Sequence, residues 1–558
     1  MSKTAQILGE IKNNITSMSI STFNLVLAIW LAVVLNINFY STIKELTPYT
    51  GLSVVVFLIA TVCIVIAVYS LFLQFFSWKW TAKILAILLV VIGGFSSYFV
   101  NSLGVVITSD QVQNMMQTDP AEAQDLLSLH LIVWIFFVVV LPVVFIIKVR
   151  LKQESQLRLV VKKLIYSLCS VGVLAGLLFT FYIDYAAIFR EHRELKGMIS
   201  PQNAIASTLS YYRKKAPKKD LPLVTYGEDA KLLNQINNNG KPKLMVLVVG
   251  ETARAESFSL NGYGKNTNPK LSQQDLINFS QVSSCGTATA VSVPCMFSGM
   301  SREQYDEQLA SHREGLLDIA QRAGYKVTWI DNNSGCKGVC DRVELYEPPK
   351  ELKAKWCDAE SECMDEILID SLKQYISTIP EEDTTPRLIV LHQMGSHGPA
   401  YFKRSTSEFK PFQPTCNSKA IQGCSENELI NSYDNSIVYT DHVLDQLIET
   451  LKQQPKYTTA MWYLSDHGES TGEKGLYLHG APYNMAPSQQ THVPMLMWFS
   501  ANWKSQNSQQ ITCLNEQKNQ ALSQDNLFPT MLSLIGVQTK VSTEKNDMLK
   551  QCSTKSRV

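Results

Sequence analysis

The stretch Ser283-Ser284-Cys285-Gly286-Thr287-Ala288-Thr289-Ala290-Val291-Ser292-Val293-Pro294-Cys295 decides how this chain is read. Two cysteines bracket a short loop that carries a pair of threonines. A threonine hydroxyl is a weak nucleophile at neutral pH, so catalytic use of one requires a base or a metal beside it. Alone, the loop reads first as a cystine-closed surface loop of small residues. Carboxylates and histidines in stretches on either side move the reading toward chemistry.

Working outward, the chain is 558 residues long, which suggests two to four domains on length alone. Its charge is nearly even, with Lys+Arg 50 against Asp+Glu 49, and this argues against a nucleic-acid partner, which favours a basic excess. The first third is apolar and the rest reads as an ordinary water-soluble domain. Five apolar runs, at about Phe23–Phe39, Leu52–Phe76, Ala82–Val100, Leu129–Val149 and Leu164–Phe189, are each of a length to cross a hydrocarbon core, which takes about 20 residues of helix. A cleaved signal peptide does not fit, because four more spans follow the first and no small-residue cleavage site is evident.

Cations orient the spans. Lys3 and Lys12 in the N-terminal arm, Lys79 and Lys83, and then Lys148, Arg150, Lys152, Arg158, Lys162 and Lys163 belong on the cytoplasmic side. The connection between the third and fourth spans holds Asp110, Asp119, Glu122 and Asp125 with no Lys or Arg, and fits the outer side. Five spans starting inside deliver everything after about residue 190 outside. Cysteine usage agrees: of twelve cysteines only Cys63 and Cys169 lie within spans, and the other ten all follow residue 284. Close pairs in sequence, 285/295, 336/340, 357/363 and 416/424, with 513 and 552 remaining, read as disulfides of an oxidising, periplasmic compartment. Zinc thiolates fit poorly, since the spacings are wrong and histidine partners are missing.

The expected organisation is therefore a multi-pass α-helical membrane domain over residues 1–190, a connector over 191–221 and an α/β periplasmic domain over 222–558. The connector carries Arg190, Arg193, Lys196, Arg213, Lys214, Lys215, Lys218 and Lys219 at its start and along it, and suits either a lipid headgroup surface or a solvated linker. Beyond it, apolar strands are predicted at Lys243–Val249, Lys326–Ile330, Arg387–Leu391, Thr459–Leu464 and Pro494–Phe499. Helices are predicted near Arg302–Ala323, Met364–Ser377, Glu426–Lys452 and Asp525–Ile535. This alternation indicates a mostly parallel central sheet covered on both faces.

Ligands of such sheets gather outside the carboxyl ends of the strands. There the chain places Gly250-Glu251-Thr252, Asp331-Asn332-Asn333-Ser334, His392 with Gly395-Ser396-His397-Gly398, and Ser465-Asp466-His467-Gly468-Glu469, with His479 shortly after. Glu251, Asp466 and His467 offer the carboxylate and imidazole donors of a catalytic zinc site, with Thr289 at the fourth position.

Those motifs, with Asn261-Gly262-Tyr263 and Thr267-Asn268-Pro269, resemble the lipid A phosphoethanolamine transferases, a family that includes the mobile colistin-resistance enzymes. The resemblance covers essentially the whole chain and implies an alkaline phosphatase/sulfatase-like catalytic domain. It implies that Thr289 is the nucleophile and that zinc is bound by Glu251, Thr289, Asp466 and His467. It also implies that Thr287, Asn333, Ser334, Lys337, His397, Glu469 and His479 line the donor phosphate and ethanolamine, with His397 and His479 holding a second zinc or acting as acid and base. By the same resemblance Cys285–Cys295, Cys336–Cys340, Cys357–Cys363, Cys416–Cys424 and Cys513–Cys552 are disulfides.

The reaction so implied moves phosphoethanolamine from phosphatidylethanolamine to a lipid A phosphate through a phosphothreonine, releasing diacylglycerol and lowering polymyxin binding. The expected protein is an inner-membrane monomer with a cytoplasmic N-terminus. A phosphoglycerol or related phosphodiester transferase is the alternative, though it would not be expected to carry such dense disulfides. A sulfatase would require a Cys/Ser-X-Pro-X-Arg segment, and Cys295 is followed by Met296-Phe297.

Overall fold

The computed structural model describes residues 17–118, 120–214, 221–233, 240–359 and 361–555, so Lys3, Lys12, Asp119, Lys215, Lys218 and Lys219 lie outside the described residues. Two compact units form. One joins residues up to 112 with 128–212, and the other joins 113–127 with 213–558.

In the first unit, four helices are long and apolar enough to cross a membrane: Leu52–Phe76, Ala82–Leu103, Leu129–Lys148 and Gln156–Thr180. The pair Ile20–Leu35 and Ile37–Leu46 is bent by 63° rather than running straight through Phe23–Phe39, and it makes the number five only when the two helices are counted as one span. The bend falls at Asn36, whose Nδ2 donates to the carbonyls of Leu31, Ala32 and Ser200 while its Oδ1 accepts from the Ser200 amide. Without water, a broken helix needs such a replacement for its lost backbone bonds. The predicted span Leu164–Phe189 likewise divides, into Gln156–Thr180 and Tyr182–Glu191. Phe181 at the break packs its ring on Phe57 and Tyr185.

Close helix contact comes from small residues, as is usual where lipid gives no hydrophobic drive for association. A Cβ on Gly93 would stand 2.5 Å from Leu35 Cδ1, and one on Gly94 would stand 2.3 Å from Val139 Cγ2. Cations gather at one end of this bundle: Lys163 donates to the carbonyls of Gln74 and Ser77, Lys83 to that of Ile147, and Arg150–Leu151 pairs with Ser17–Met18. Part of the expected connector belongs here too. Leu195 and Ser200 are fully buried, with Ser200 held by Asn36, Tyr69, Ser96 and Asn203, so this part of the stretch packs into the helical unit.

The second unit is built on a seven-stranded sheet of β1 (Lys243–Gly250), β2 (Leu276–Phe279), β3 (Lys326–Asp331), β4 (Glu344–Leu345), β5 (Arg387–His392), β6 (Thr458–Ser465) and β7 (Met495–Phe499). Its order is β2-β7-β6-β1-β5-β3-β4, parallel from β6 to β4, with β7 antiparallel to both β6 and β2. The central strands β1, β5 and β6 are buried almost throughout, which explains their unbroken apolar runs. Trp329, Trp462, Phe297, Phe528 and Met531 fill the core.

Three predicted helices hold, at Glu366–Ser377, at Glu426–Lys452, opened by a capping box of Ser425 and Glu428, and at Leu527–Ile535, which follows a 3-10 turn over Gln524–Asn526. The region Arg302–Ala323 is instead broken into a 3-10 turn and the helices Glu307–Ala310 and Leu316–Arg322. The second break ends at Gly315, the N-cap of Leu316–Arg322, where only glycine fits because a Cβ would stand 2.7 Å from the Phe297 carbonyl.

All five expected disulfides are formed in this unit, and the longest loop, between Cys513 and Cys552, separates its cysteines by 39 residues against 6 for Cys357 and Cys363. Chain entropy scales with the closed loop, so C513S/C552S is expected to cost about 4 kcal/mol and C357S/C363S about 2 kcal/mol. Thermal unfolding of the two double variants in detergent checks the order; equal losses would deny it.

Candidate active site and metal centre

The parallel register brings four strand ends to one level. Ser465 pairs with Gly250, Val249 with His392, and His392 with Asp331. Each following residue therefore leaves the sheet at the same edge, and Glu251, Asp466 and His467 converge there, all essentially buried. Gly250 is required for this convergence, because a Cβ would stand 2.6 Å from the Tyr463 ring.

Thr289 opens the helix Thr289–Ser298, with Ala288 as its N-cap. Its Oγ1 lies 3.1 and 3.3 Å from the Glu251 carboxylate oxygens and 3.2 Å from His467 Nε2. His467 Nε2 is in turn 3.5 Å from Glu251 Oε1 and 3.4 Å from Asp466 Oδ2. The ligand atoms of Glu251, Asp466 and His467 all fall within 4.8 Å of one another.

Three observations fit a divalent cation to these residues. Asp466 Oδ1 accepts from the amides of Thr252 and His467, whereas its buried Oδ2 has no hydrogen-bond partner. His467 Nδ1 donates to the Gly468 carbonyl at 2.8 Å, which orients the ring and leaves Nε2 without a proton, facing Thr289 Oγ1. Burial pushes the His467 imidazole down to about 4, so it is neutral at pH 7, the form that coordinates metal. A second cluster, Cys336, Cys340 and Asp341, offers no thiolates because its cysteines are bonded to each other.

The other expected residues are distributed around this centre. Asn333 Nδ2 donates to Glu251 Oε2 at 2.8 Å and to the Gln393 carbonyl at 2.7 Å, so it orients the carboxylate. Lys337 donates to Ser334 Oγ at 2.7 Å. His479 stacks near His467 with ring centres 4.5 Å apart, has His397 at 5.5 Å, and meets Glu469 Oε1 at 3.3 Å. Thr287 donates to the Ala481 carbonyl and accepts from the Gly480 amide, which fixes the His479 loop to the threonine loop.

Sequence reasoning missed the residues that hold these loops. Gln524 Nε2 donates to the carbonyls of Ser465 and Asp466 while its Oε1 accepts from the Cys285 amide, joining the threonine loop to the turn that carries Asp466 and His467. Asp365 accepts from the amides of Met394 and Gly395 and from Asn332 Nδ2, and burial pushes its carboxyl above the usual range. Tyr433 bonds the Thr252 carbonyl and the Arg254 amide. Thr252 itself, next to Glu251, holds a φ of 50°, a left-handed conformation that a β-branched residue keeps only under local constraint. None of these has a compositional signal.

Comparison with known proteins places this arrangement. A family model described as Sulfatase matches residues 243–537, and one described as Phosphoethanolamine transferase EptA/EptB matches residues 65–216. Fold and site together define a membrane-embedded enzyme whose catalytic domain is of the sulfatase and alkaline phosphatase type. Phosphoethanolamine transferase EptA of Escherichia coli (strain K12) is 40% identical over 539 residues, covering 96% of this chain and 97% of its own length. Phosphatidylethanolamine transferase Mcr-1 of Escherichia coli is 34% identical over 546 residues, covering 93% and 96%. The solved structure of the integral membrane protein lipooligosaccharide phosphoethanolamine transferase A (EptA) from Neisseria meningitidis matches with a TM-score of 0.89 at 33% identity, over 96% of this chain and 99% of that one. The chain belongs to the EptA family of phosphoethanolamine transferases.

Asp466→Ala and His467→Ala are each expected to bring divalent metal in the purified full-length protein to background in elemental analysis; retention by both would remove the centre. Gly395 has a φ of 54°, and a Cβ there would stand 2.5 Å from the Glu251 carbonyl, whereas Gly262 at φ 93° has nothing within 4 Å. Gly395→Ala should therefore lose metal, while Gly262→Ala costs only the roughly 1 kcal/mol of a left-handed alanine. Metal content and melting temperature of the two variants read the difference.

Proposed function

We propose that this protein transfers phosphoethanolamine from phosphatidylethanolamine to a phosphate of lipid A, with Thr289 carrying the group between them. The observation that carries this reading is the Thr289 hydroxyl within 3.3 Å of both Glu251 oxygens and of His467 Nε2. Zinc held by Glu251, Asp466 and His467 would supply a Lewis acid that lowers the pKa of that hydroxyl.

Thr289 Oγ1, its proton released to water, attacks the donor phosphorus, and the bond to the diacylglycerol oxygen breaks as the new ester forms. The diacylglycerol oxygen takes up a proton from the His397–His479 side, where these two rings serve as acid and base or ligate a second zinc. A lipid A phosphate oxygen then attacks the phosphothreonine from the vacated side and frees the Thr289 oxygen. Asn333 holds Glu251 in place during both displacements, and Lys337, with Ser334 and Thr287, faces the equatorial phosphate oxygens. The N-terminal turn of the helix that Thr289 opens adds a favourable dipole of smaller size.

Both substrates are lipids, and this accounts for a catalytic unit attached to membrane helices. The five disulfides of that unit and the cations at one end of the bundle support a periplasmic catalytic domain with the N-terminus in the cytoplasm. Each transfer adds an ammonium group to the cell surface and weakens binding of cationic polymyxins. A monomer suffices for this reaction.

Intact-mass spectrometry of protein incubated with phosphatidylethanolamine should show a phosphoethanolamine adduct on the wild type and none on Thr289→Ala, whose turnover should fall roughly a thousandfold or more. Lipid A from cells with and without the intact gene should differ by the same group. An unchanged lipid A spectrum would remove the acceptor, and an adduct on Thr289→Ala would remove the nucleophile.

A further inference from the structure

The acidic connection between the third and fourth spans does not stay with them: residues 113–127 belong to the catalytic unit. Gln113 Nε2 donates to the carbonyl of Ala290, the residue after Thr289, and the Gln117 carbonyl accepts from Lys337. At the far end of the segment, Asp125 is fully buried, with its Oδ2 2.8 Å from Arg404 Nη2 and its Oδ1 2.9 Å from Lys419 and 3.3 Å from Lys403. Arg404 is also buried, and it meets Glu362 at 3.2 Å through Nη1. Its remaining donor, Nε, bonds the backbone carbonyl of His397 at 2.9 Å.

We propose that Asp125 and Arg404 form a positioning relay, in which a carboxylate from the inter-span connection fixes the guanidinium whose Nε holds His397 at the active site. A guanidinium presents its donors in a rigid plane, so fixing two of them by carboxylates fixes the direction of the third. Burial alone raises the Asp125 carboxyl, but Lys419, Arg404 and Lys403 outweigh it and keep the group below the usual carboxylate range, charged at neutral pH. Removing the Asp125 charge takes away the shortest contact of Nη2, leaves the guanidinium to Glu362, which meets Nη1 at 3.2 Å and Nη2 at 3.4 Å, and so lets the direction of the Nε bond to the His397 carbonyl shift. Neither residue touches the reacting atoms, so the effect runs through His397 and rests on the role proposed for that histidine.

The test is a double-mutant cycle on the full-length protein in phosphatidylethanolamine vesicles, read as the single-turnover rate of adduct formation on Thr289 by intact-mass spectrometry. Asp125→Asn is expected to slow that rate roughly ten- to a hundredfold, the range for a displaced catalytic group, and Asp125→Glu to recover part of it. In a His397→Ala background the same D125N change is expected to matter by less than about twofold. Equal slowing in both backgrounds would mean a merely structural salt bridge, and a D125N rate like the wild type would leave no relay; either result overturns the inference. Should D125N not accumulate, D125N/R404Q replaces it, since a neutral pair is tolerated where a lone buried charge is not. That variant should accumulate and be slow, and wild-type speed in it would equally overturn the relay. A wild type that forms no adduct condemns the proposed transfer reaction and this inference with it, whereas failure of the relay leaves wild-type activity intact.

Discussion

The alignment of Gly250, Ser465, His392 and Asp331 across four parallel strands is the constraint on which the rest of the structure depends. Parallel hydrogen bonding sets neighbouring strands in one direction and ends them together, so residues far apart in sequence leave the sheet at a common edge. Glu251 and His467 are separated by more than two hundred residues and yet approach to 3.5 Å. A shift of one residue between β1 and β6 would turn alternate side chains to the other face and break that contact. Burial of these strands on both faces opposes such a shift, because Trp462, Val249 and Leu247 would lose their places in the core.

Upon that frame the threonine loop is fastened from three directions. The bond between Cys285 and Cys295 closes it, Gln524 fastens Cys285 to the backbone of Ser465 and Asp466, and Thr287 fastens it to Gly480 and Ala481. Fastening of this kind fixes the Thr289 hydroxyl against Glu251 and His467 and leaves it little conformational entropy. The buried Asp466 Oδ2 has no hydrogen-bond partner, which is costly, and a cation at this position would offset that cost.

Much of this was legible without coordinates. Five apolar runs, ten cysteines confined to the last half of the chain, and the Glu251, Asp466 and His467 motifs after apolar strands are local properties, readable from residue type and period. The boundaries of the central strands β1, β3, β5 and β6 differ from expectation by a residue at most at each end. Errors fell where a non-local contact overrides local pattern. Asn36 bends an apolar run because Ser200 is there to complete its hydrogen bonds, and the stretch Arg302–Ala323 is interrupted before Gly315, where the Phe297 carbonyl leaves no room for a Cβ.

By itself the sequence determined the class of elements, the two solvents in which they sit and the chemical types at the strand ends, since hydrophobic period and side-chain chemistry are carried by each residue separately. Tertiary structure alone decided that 113–127 joins the catalytic unit, that Ser200 is buried among membrane helices, and that Gln524, Asp365 and Arg404 hold the active-site loops. Those three side chains act on backbone groups of distant segments. Backbone carbonyls and amides are alike in every sequence, so which of them a side chain will reach is set only when the sheet register has been made.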